Sequence, residues 1–500
     1  MRLSGRVVTE PGRPATPGTL TVRGSRIESV SFDQNAVAEH YIVPGFIDSH
    51  THPLEAGLES LCVNVAGATR LEAVLEKLRA RARDGKDWGV LLAFNLEPDI
   101  LSEARYPSRA ELDGVTGGVP TLVYRIDGHS AATNSAGLDL VTGRATDGIE
   151  LDAAGKPTGV MRGPAYEAAS RLFKRRLRPE LVQAALRLAG DHAAAAGITT
   201  LGAFVGDDEL LAEHWRSLLD GLSRMSSGAV PYLQTWRIAT ARHHGLRQVG
   251  GCLLIDGSFG SRTAALRDGY ADSPGDSGRT YVDDDRLTAF YREAEAAGLQ
   301  TAVHAIGDRA VEQVVCCLER AGVNGRPNRH RIEHAELLSD DLVRRIAAVG
   351  MVLGVQPAFE AAWGGPDRMY ARRLGDRWRR TNPFRSLLAA GVVLGGGSDA
   401  PITPMNPLAG MAAAVHHSNP DQGLSPDEAF ALFTTGAAVA LRVDDRVGRL
   451  AAGMQADFVI LSSDPRDGAD CRVIATYRNG QRTYENPAFA GDLLLPSASI

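Results

Sequence analysis

Two histidines placed two residues apart are the first feature of this sequence that could do chemistry. His50 and His52 end the segment Phe46–His52, which follows the apolar run Tyr41–Val43. Side chains at positions i and i+2 of a strand point to the same face of the sheet. Both imidazole rings can therefore reach one metal ion. Taken alone the pair is weak evidence, because a His-x-His pair also arises by chance.

Further histidines and an aspartate recur where later apolar runs end. His304, His334 and Asp399 each follow a segment with the character of a β-strand. The carboxyl ends of the strands of a parallel barrel meet at one face, which is where such enzymes place their chemistry. Imidazole and carboxylate groups are the usual ligands of zinc and related divalent ions. The four histidines and the aspartate therefore predict one shared metal site.

The segments that must position these residues alternate between strand and helix. Apolar runs alternate with Ala-, Leu- and Arg-rich helical stretches between residues 44 and 442, which predicts an α/β protein with a parallel sheet and suits a (β/α)8 TIM barrel. Nine candidate strands compete for eight positions, and Gly89–Phe94 or Thr121–Ile126 is the expected extra one. The candidates are Phe46–His50, Gly89–Phe94, Thr121–Ile126, Ile198–Phe204, Cys252–Asp256, Gln300–His304, Arg331–His334, Val352–Gln356 and Val392–Gly395.

The two ends of the chain have a different pattern. Residues 1–43 and 443–486 consist of short strand-like runs separated by Gly, Pro, Asp and Asn, which favours a small β-domain built from both termini. The barrel is then expected to span residues 44–442, with residues 487–500 as a C-terminal tail.

Composition narrows the class of protein. The 500 residues carry a net charge of −6, with 44% hydrophobic and 23% charged residues, which are ordinary values for a globular protein. The slight acidity argues against a nucleic-acid surface, and no apolar stretch is long enough for a membrane span. The five cysteines are irregularly spaced, and the N-terminus lacks the apolar core of a signal peptide. A cytoplasmic setting and a small-molecule substrate are expected.

Several segments, in this order along the chain, resemble the signature motifs of the amidohydrolase superfamily, and most closely its amidohydrolase-3 (YtcJ-like) branch. The segments that carry the superfamily resemblance are Pro44–His52, Val303–Ala310, Arg331–Ala335 and Gly397–Pro401. Those that fit the branch, or the return of its chain into a β-sandwich, are Asp127–Ser130, Asp256–Ala264 and Gly453–Leu461. The resemblance covers nearly the whole chain.

This resemblance implies a TIM barrel capped by a β-sandwich that both termini form. It implies a metal-dependent hydrolase that cleaves a non-peptide carbon–nitrogen bond, in an N-acyl or formamide-type amide, with water activated by one or two divalent ions, zinc being the expected metal. A homodimer is expected by analogy alone. The implied ligands are His50 and His52 for one metal ion, His304 and His334 for a second, and Asp399, which also acts as general base.

Four further residues carry expected roles in the pocket. His129 follows the run Thr121–Ile126 and would polarise the substrate carbonyl or donate to the developing oxyanion, or else would only stabilise its loop. Asp127 would orient His129. Asp256 and Arg262 would line the substrate pocket, although a structural hydrogen-bonding role also fits Asp256.

One position departs from the branch. Many members carry a carboxylated lysine that bridges two metal ions four residues before the Asp-Gly of this motif, where the present chain has Cys252 before Asp256-Gly257. Three interpretations stay open. The Cys252 thiolate binds or bridges the metal, as soft ligands do; or the site is mononuclear; or Cys252 is an apolar filler in an altered site. Strand periodicity places Cys252 on the same face as Asp256, which favours a role in the site.

The mononuclear interpretation resembles the deaminase-type members of the superfamily. It takes His50, His52, His304 and Asp399 as ligands and leaves His334 beside the water, and it predicts an aminohydrolase that acts on an amino-substituted heterocycle. A non-catalytic scaffold with the same fold is the remaining alternative, although all four histidines and the aspartate are present.

Overall fold

Strands from both ends of the chain pair in one sheet. The computed structural model describes residues 1–33, 38–143, 147–208, 210, 212–468 and 470–489. The seven strands of this sheet, in spatial order, are Gln481–Glu485, Val473–Arg478, Phe458–Leu461, Tyr41–Pro44, Arg2–Val7, Thr16–Arg23 and Arg26–Phe32. The apolar face of this sheet has its own core cluster, which includes Leu20, Ile42 and Ile474.

The pairing of the two ends therefore agrees with the sequence-based expectation. The β-sandwich itself and the domain limits stay predictions. Of the expected tail, residues Pro487–Phe489 form a short 3-10 turn, and 490–500 lie outside the described residues.

Eight parallel strands carry the central part of the described chain. A three-stranded sheet has the order Gly228–Leu233, Ile198–Val205, Phe46–Thr51, and a five-stranded sheet has the order Gln248–Leu254, Gln300–Ala305, Arg331–His334, Val352–Val355, Leu394–Gly396. The edge strands of the two sheets contact each other on both sides, and a parallel bridge joins Thr51 to Ala400. Hydrogen-bonded ladders do not join the eight described strands into one ring, so the closed TIM barrel stays a prediction.

The expected set of strands needs two corrections. Gly89–Phe94 and Thr121–Ile126 both belong to a separate sheet, so neither of them is one of the eight parallel strands. The missing member is Gly228–Leu233, which the sequence analysis did not identify. Its Pro231 and two small residues at the start conceal the strand pattern in the sequence.

The separate sheet has six strands and lies between the first and second parallel strands in sequence. Its order is Ile149–Leu151, Pro157–Arg162, Ser130–Thr133, Thr121–Arg125, Leu91–Leu96, Val63–Asn64. The strand Thr121–Arg125 runs directly into the segment that carries Asp127 and His129. This insertion is therefore what delivers those two side chains.

Helices of ordinary length connect the strands. Their starts follow local chemistry: Ser108 and Ser425 form capping boxes with Glu111 and Glu428, and Asp283 caps another helix. The α-helices are Pro53–Leu61, Leu71–Trp88, Arg109–Thr116, Ser135–Thr142, Gly163–Lys174, Pro179–Ala195, Ala212–Ser223, Ile238–His243, Asp284–Ala296, Asp308–Ala321, Gly325–Asn328, Asp340–Val349, Pro357–Trp363, Met369–Leu374, Phe384–Ala389, Pro407–Val415, Pro426–Leu432 and Thr435–Ala440. The remaining 3-10 turns are Pro98–Ile100, Gly375–Arg380 and Pro420–Gln422. Across the described residues, no helix combines the length and the apolar character that crossing a bilayer requires.

Candidate metal centre

Two histidine nitrogens and one carboxylate oxygen converge at the ends of two parallel strands. The Nε2 atoms of His50 and His52 lie 3.0 and 3.2 Å from Oδ1 of Asp399. Ligand atoms on a tetrahedral zinc ion, with bonds of about 2.0 to 2.1 Å, are separated by about 3.3 Å. The spacing of these three atoms therefore suits ligands of one ion.

Cys252 lies between three of the predicted histidines. Its Sγ atom is 3.5 Å from Nδ1 of His304, 3.9 Å from Nε2 of His334 and 4.0 Å from Nε2 of His50. A sulfur and a nitrogen ligand of one tetrahedral zinc ion are about 3.6 Å apart. His50, Cys252 and His334 form one group of potential ligands, and His50, His52 and Asp399 form another. Both groups use Nε2 of His50, which can bind only one ion, so the arrangement suits a single ion or two adjacent ions of which one is not bound by His50.

Buried polar atoms at this centre lack ordinary partners. Nδ1 of His334 has no hydrogen bond within the described part of the chain, and Oδ1 of Asp399 has only the imidazole nitrogens of His50 and His52 beside it, without hydrogen-bond geometry, although both residues are buried. Leaving such atoms unpaired costs free energy, which a bound cation would offset at Asp399. His334 and Asp399 also have positive φ angles, 72° and 55°, a strained conformation that recurs at active sites and ligand-binding sites. The residues present therefore fit a divalent metal ion.

The electrostatics of the centre favour positive charge. Burial raises the pKa of Asp399, but His50 and His52 more than offset this and hold the pKa well below its usual range. Burial likewise opposes ionisation of Cys252, yet His304, His334 and His50 hold the pKa of the thiol well below its usual value. Burial lowers the pKa of His52, whereas Asp399 and Cys252 raise it to about 10. A carboxylate and a thiolate thus attract cations, either protons or a metal ion.

Hydrogen bonds orient two of the rings. Nδ1 of His50 is 2.8 Å from Oε2 of Glu333, to which it donates, so Nε2 faces the centre as an acceptor. Nε2 of His304 donates to the carbonyl of Gly257 at 3.2 Å, which leaves Nδ1 facing Cys252. Burial and the nearby His334 lower the pKa of His304 to about 4, so this ring is neutral and able to bind a metal.

Glu333 is itself held by a buried arginine. Nε of Arg331 lies 2.7 Å from Oε1 of Glu333, and Nη2 of Arg331 donates to Oε2 at 2.8 Å. Both side chains have no solvent exposure. The sequence analysis included both residues in the candidate strand Arg331–His334 but gave them no role. Their opposite charges, two residues apart and therefore on one face of the strand, could have indicated an ion pair.

The structure separates the four residues expected in the pocket into two pairs. His129 and Asp127 line the cavity beside the centre, and the ring centroids of His129 and His304 are 4.9 Å apart. Asp127 receives hydrogen bonds from Ser258 and Ser261 at 2.6 and 2.8 Å. Its carboxylate is thus fixed beside His129, whose backbone N–H donates to it at 3.3 Å.

Asp256 and Arg262 lie outside the lining of the two cavities that contain the centre. Asp256 is fully buried and accepts backbone hydrogen bonds from Ala265, Ile306 and Gly307, which ties two loops together. Arg262 forms two hydrogen bonds with Asp272, at 3.2 and 2.9 Å. The structure thus gives Asp256 the structural role that the sequence analysis allowed, and it places Arg262 in a salt bridge between loop residues.

Charged residues of the cavity wall were missed, among them Arg125, Lys174 and Glu55. Arg125 is 6% exposed and lies between Asp99 and Asp127, at 2.8 and 2.6 Å. Lys174 and Glu55 form an ion pair of 2.6 Å that faces the cavity from two helices. An arginine that ends an apolar strand was a detectable signal, but nothing in the sequence indicates that Lys174 and Glu55 meet.

Comparison with known proteins adds to this geometry. The sequence profile described as the amidohydrolase family matches residues 38–484. A protein of Bacillus subtilis (strain 168) named "Putative amidohydrolase YtcJ" is 30% identical over 88% of this chain and 88% of its own length. The N-substituted formamide deformylase of Arthrobacter pascens is 27% identical over 96% of this chain and 94% of its own length. The crystal structure of an uncharacterized metal-dependent hydrolase from Pyrococcus horikoshii OT3 is 25% identical, with a TM-score of 0.75 over 92% of this chain and 96% of that one.

Proposed function

Because this chain belongs to the amidohydrolase family and is a hydrolase, we propose that it uses zinc to hydrolyse a non-peptide carbon–nitrogen bond in an N-acyl or formamide-type amide. The observation that carries this proposal is the position of Nε2 of His50 and Nε2 of His52, both within 3.2 Å of Oδ1 of Asp399. The related N-substituted formamide deformylase supports an amide as the substrate class. The proposed setting is a TIM barrel with a β-sandwich cap in the cytoplasm.

The residues of this chain divide the work of the reaction. A bound divalent cation would polarise the amide carbonyl and lower the pKa of a water molecule. Asp399 is buried beside His50 and His52, and as a carboxylate it accepts the proton of the attacking water and passes it to the leaving amine. His129 donates to the carbonyl oxygen as negative charge develops there, and Asp127 fixes the loop that carries it.

Cys252 enters the proposal as a thiolate ligand. Its sulfur lies within 4.0 Å of nitrogens from three histidines, and its pKa is held low by the same rings. A ligand role gives the thiolate charge a partner, and soft thiolates bind zinc well.

Metal analysis and an amide-hydrolysis assay test the function together. The purified protein should bind zinc, and removing the zinc with a chelator should abolish release of amine from N-acyl and N-formyl amines until zinc is returned. His129→Gln should bind the same amount of zinc as wild type but hydrolyse amides more slowly. A zinc-loaded protein that releases ammonia from amino-substituted heterocycles and leaves every amide intact would contradict the proposal in favour of the deaminase.

A further inference from the structure

Two cavities meet at the candidate metal centre. The inner cavity has a volume of about 820 Å³ and the outer cavity about 1410 Å³, each counted with the space open to solvent at its mouth. The walls of both cavities include His129, His334 and Asp399. A substrate whose reacting bond lies beside these three residues therefore has space on two sides.

Three aromatic rings form part of the wall of the inner cavity, and each of them is at most 7% exposed. The rings of Phe94 and Tyr124 stack with centroids 4.9 Å apart and an angle of 17°, and Tyr166 meets Tyr124 edge-on at 6.1 Å. The pair of Lys174 and Glu55 lines the same cavity, with 26% and 22% of their side chains exposed. An aromatic group that enters this cavity would meet these rings, and aromatic rings favour offset-stacked and edge-to-face contacts.

Aromatic rings also form part of the wall of the outer cavity, beside charged residues such as Arg368 and Arg372. Phe359 and Trp363 contact each other at 4.9 Å between centroids, and the ring of Phe359 lies nearly parallel to that of His334 at 6.0 Å. Phe259 and Tyr370 form another pair at 5.5 Å in the same wall, with 2% and 1% exposure. Aromatic side chains thus lie on this side of the centre as well.

We propose that the substrate is an amide with an aromatic or bulky apolar group on each side of the scissile bond, one group in each cavity. This inference rests on the proposed amide hydrolysis and narrows it. A formamide carries only hydrogen on its carbonyl carbon, so it fills one cavity and leaves the aromatic wall of the other without a substrate contact. Binding both groups would hold the amide carbonyl beside His129 and Asp399.

Ketones in which a CH2 group replaces the amide NH test this inference without turnover. The two-ring ketone is 1,4-diphenylbutan-2-one, and the one-ring ketones are 4-phenylbutan-2-one and 1-phenylpropan-2-one. Calorimetry on the zinc-loaded protein should show that the two-ring ketone binds at least tenfold more tightly than either one-ring ketone. A smaller advantage would overturn the inference, because the second cavity would then add no binding for the second ring.

Variants assign each ring to a cavity. Tyr124→Leu in the inner cavity and Trp363→Ala in the outer cavity should each weaken the two-ring ketone at least fivefold, and each should weaken a different one-ring ketone. Trp236→Ala is the matched control, because Trp236 packs on Phe290 at 5.0 Å outside both cavities. Weakening of the same one-ring ketone by both cavity variants would overturn the inference. Phe94→Leu replaces Tyr124→Leu if the latter lowers the melting temperature.

The two proposals fail in different ways. The amide that matches the two-ring ketone is N-benzyl-2-phenylacetamide. Tight two-ring binding without hydrolysis of this amide, or of any N-acyl or N-formyl amine, would reject the proposed function and keep the two-sided site. Hydrolysis of formamides faster than of every two-sided amide would reject the two-sided substrate and keep the proposed function.

Discussion

Replacing Glu333 by glutamine tests how the centre holds its first ligand. The change keeps the size of the side chain and an oxygen that can accept from Nδ1 of His50, which is now 2.8 Å away. It removes the negative charge that increases the basicity of the imidazole. Loss of such an outer partner typically lowers metal affinity by about 10- to 100-fold, which corresponds to about 1.4 to 2.7 kcal/mol. We expect a loss of zinc affinity in this range.

The same substitution affects folding through Arg331. This arginine is fully buried and pairs with Glu333 at 2.7 Å, so glutamine leaves its charge uncompensated. Breaking a buried ion pair from one side costs about 3 to 5 kcal/mol of unfolding free energy. Glu333→Asp keeps the charge and shortens the side chain, so its metal-free form should be more stable than that of Glu333→Gln. Chemical denaturation of the metal-free proteins measures this difference.

Competition with a chromophoric chelator measures the zinc affinity of each metal-stripped variant. Glu295→Gln is the matched control, because Glu295 lies 3.2 Å from Nε2 of His330, a buried histidine outside the centre. This control should bind zinc as tightly as wild type. If folded Glu333→Gln also binds zinc within twofold of wild type, the reasoning about His50 is refuted.

Three other changes test separate features. Cys252→Ser should lower the zinc content per chain measured by mass spectrometry, since serine supplies no thiolate; an unchanged zinc content would support the packing role. Gly57→Ala should lower the free energy of unfolding in urea by about 1 to 3 kcal/mol, because the added Cβ would lie 1.9 Å from the carbonyl oxygen of Ala185. Gly114→Ala is the control and should not lower it, because a Cβ on this helical residue would point into open space. Burial raises the pKa of Asp457 from 3.8 to about 6, so its stabilising contribution is present below pH 4 and is lost, by about 3 kcal/mol, as pH rises through 6. Asp457→Asn should therefore gain unfolding free energy relative to wild type between pH 4 and pH 7, and a difference independent of pH would contradict this assignment.

Sequence patterns indicated which residues meet at the centre better than they indicated its surroundings. His50, His52, His304, His334 and Asp399 were selected because each lies at or just after the end of a strand, and the ends of parallel strands meet in space. Local spacing carries that information, since a strand fixes the direction of every second side chain. The role of these residues as metal ligands stays a prediction.

The missed features depend on contacts between distant segments. Lys174 and Glu55 lie on different helices and are 119 residues apart in the sequence, so no local pattern relates them. The strand Gly228–Leu233 begins with two small residues and contains a proline, so only its pairing with Ile198–Val205 makes it recognisable. The six-stranded sheet was missed because two of its strands are as apolar as those of the parallel sheets.

The terminal sheet has a consequence for the order in which the protein is completed during synthesis. The strand Tyr41–Pro44 leads directly into the strand that carries His50, and it pairs with Phe458–Leu461. That partner emerges from the ribosome about 400 residues later, when synthesis at about 5 to 20 residues per second has continued for roughly 20 to 80 seconds. The strand Tyr41–Pro44, which precedes His50, therefore lacks one of its two neighbouring strands through most of translation. A chain cut short before residue 458 would leave this strand edge open to other chains.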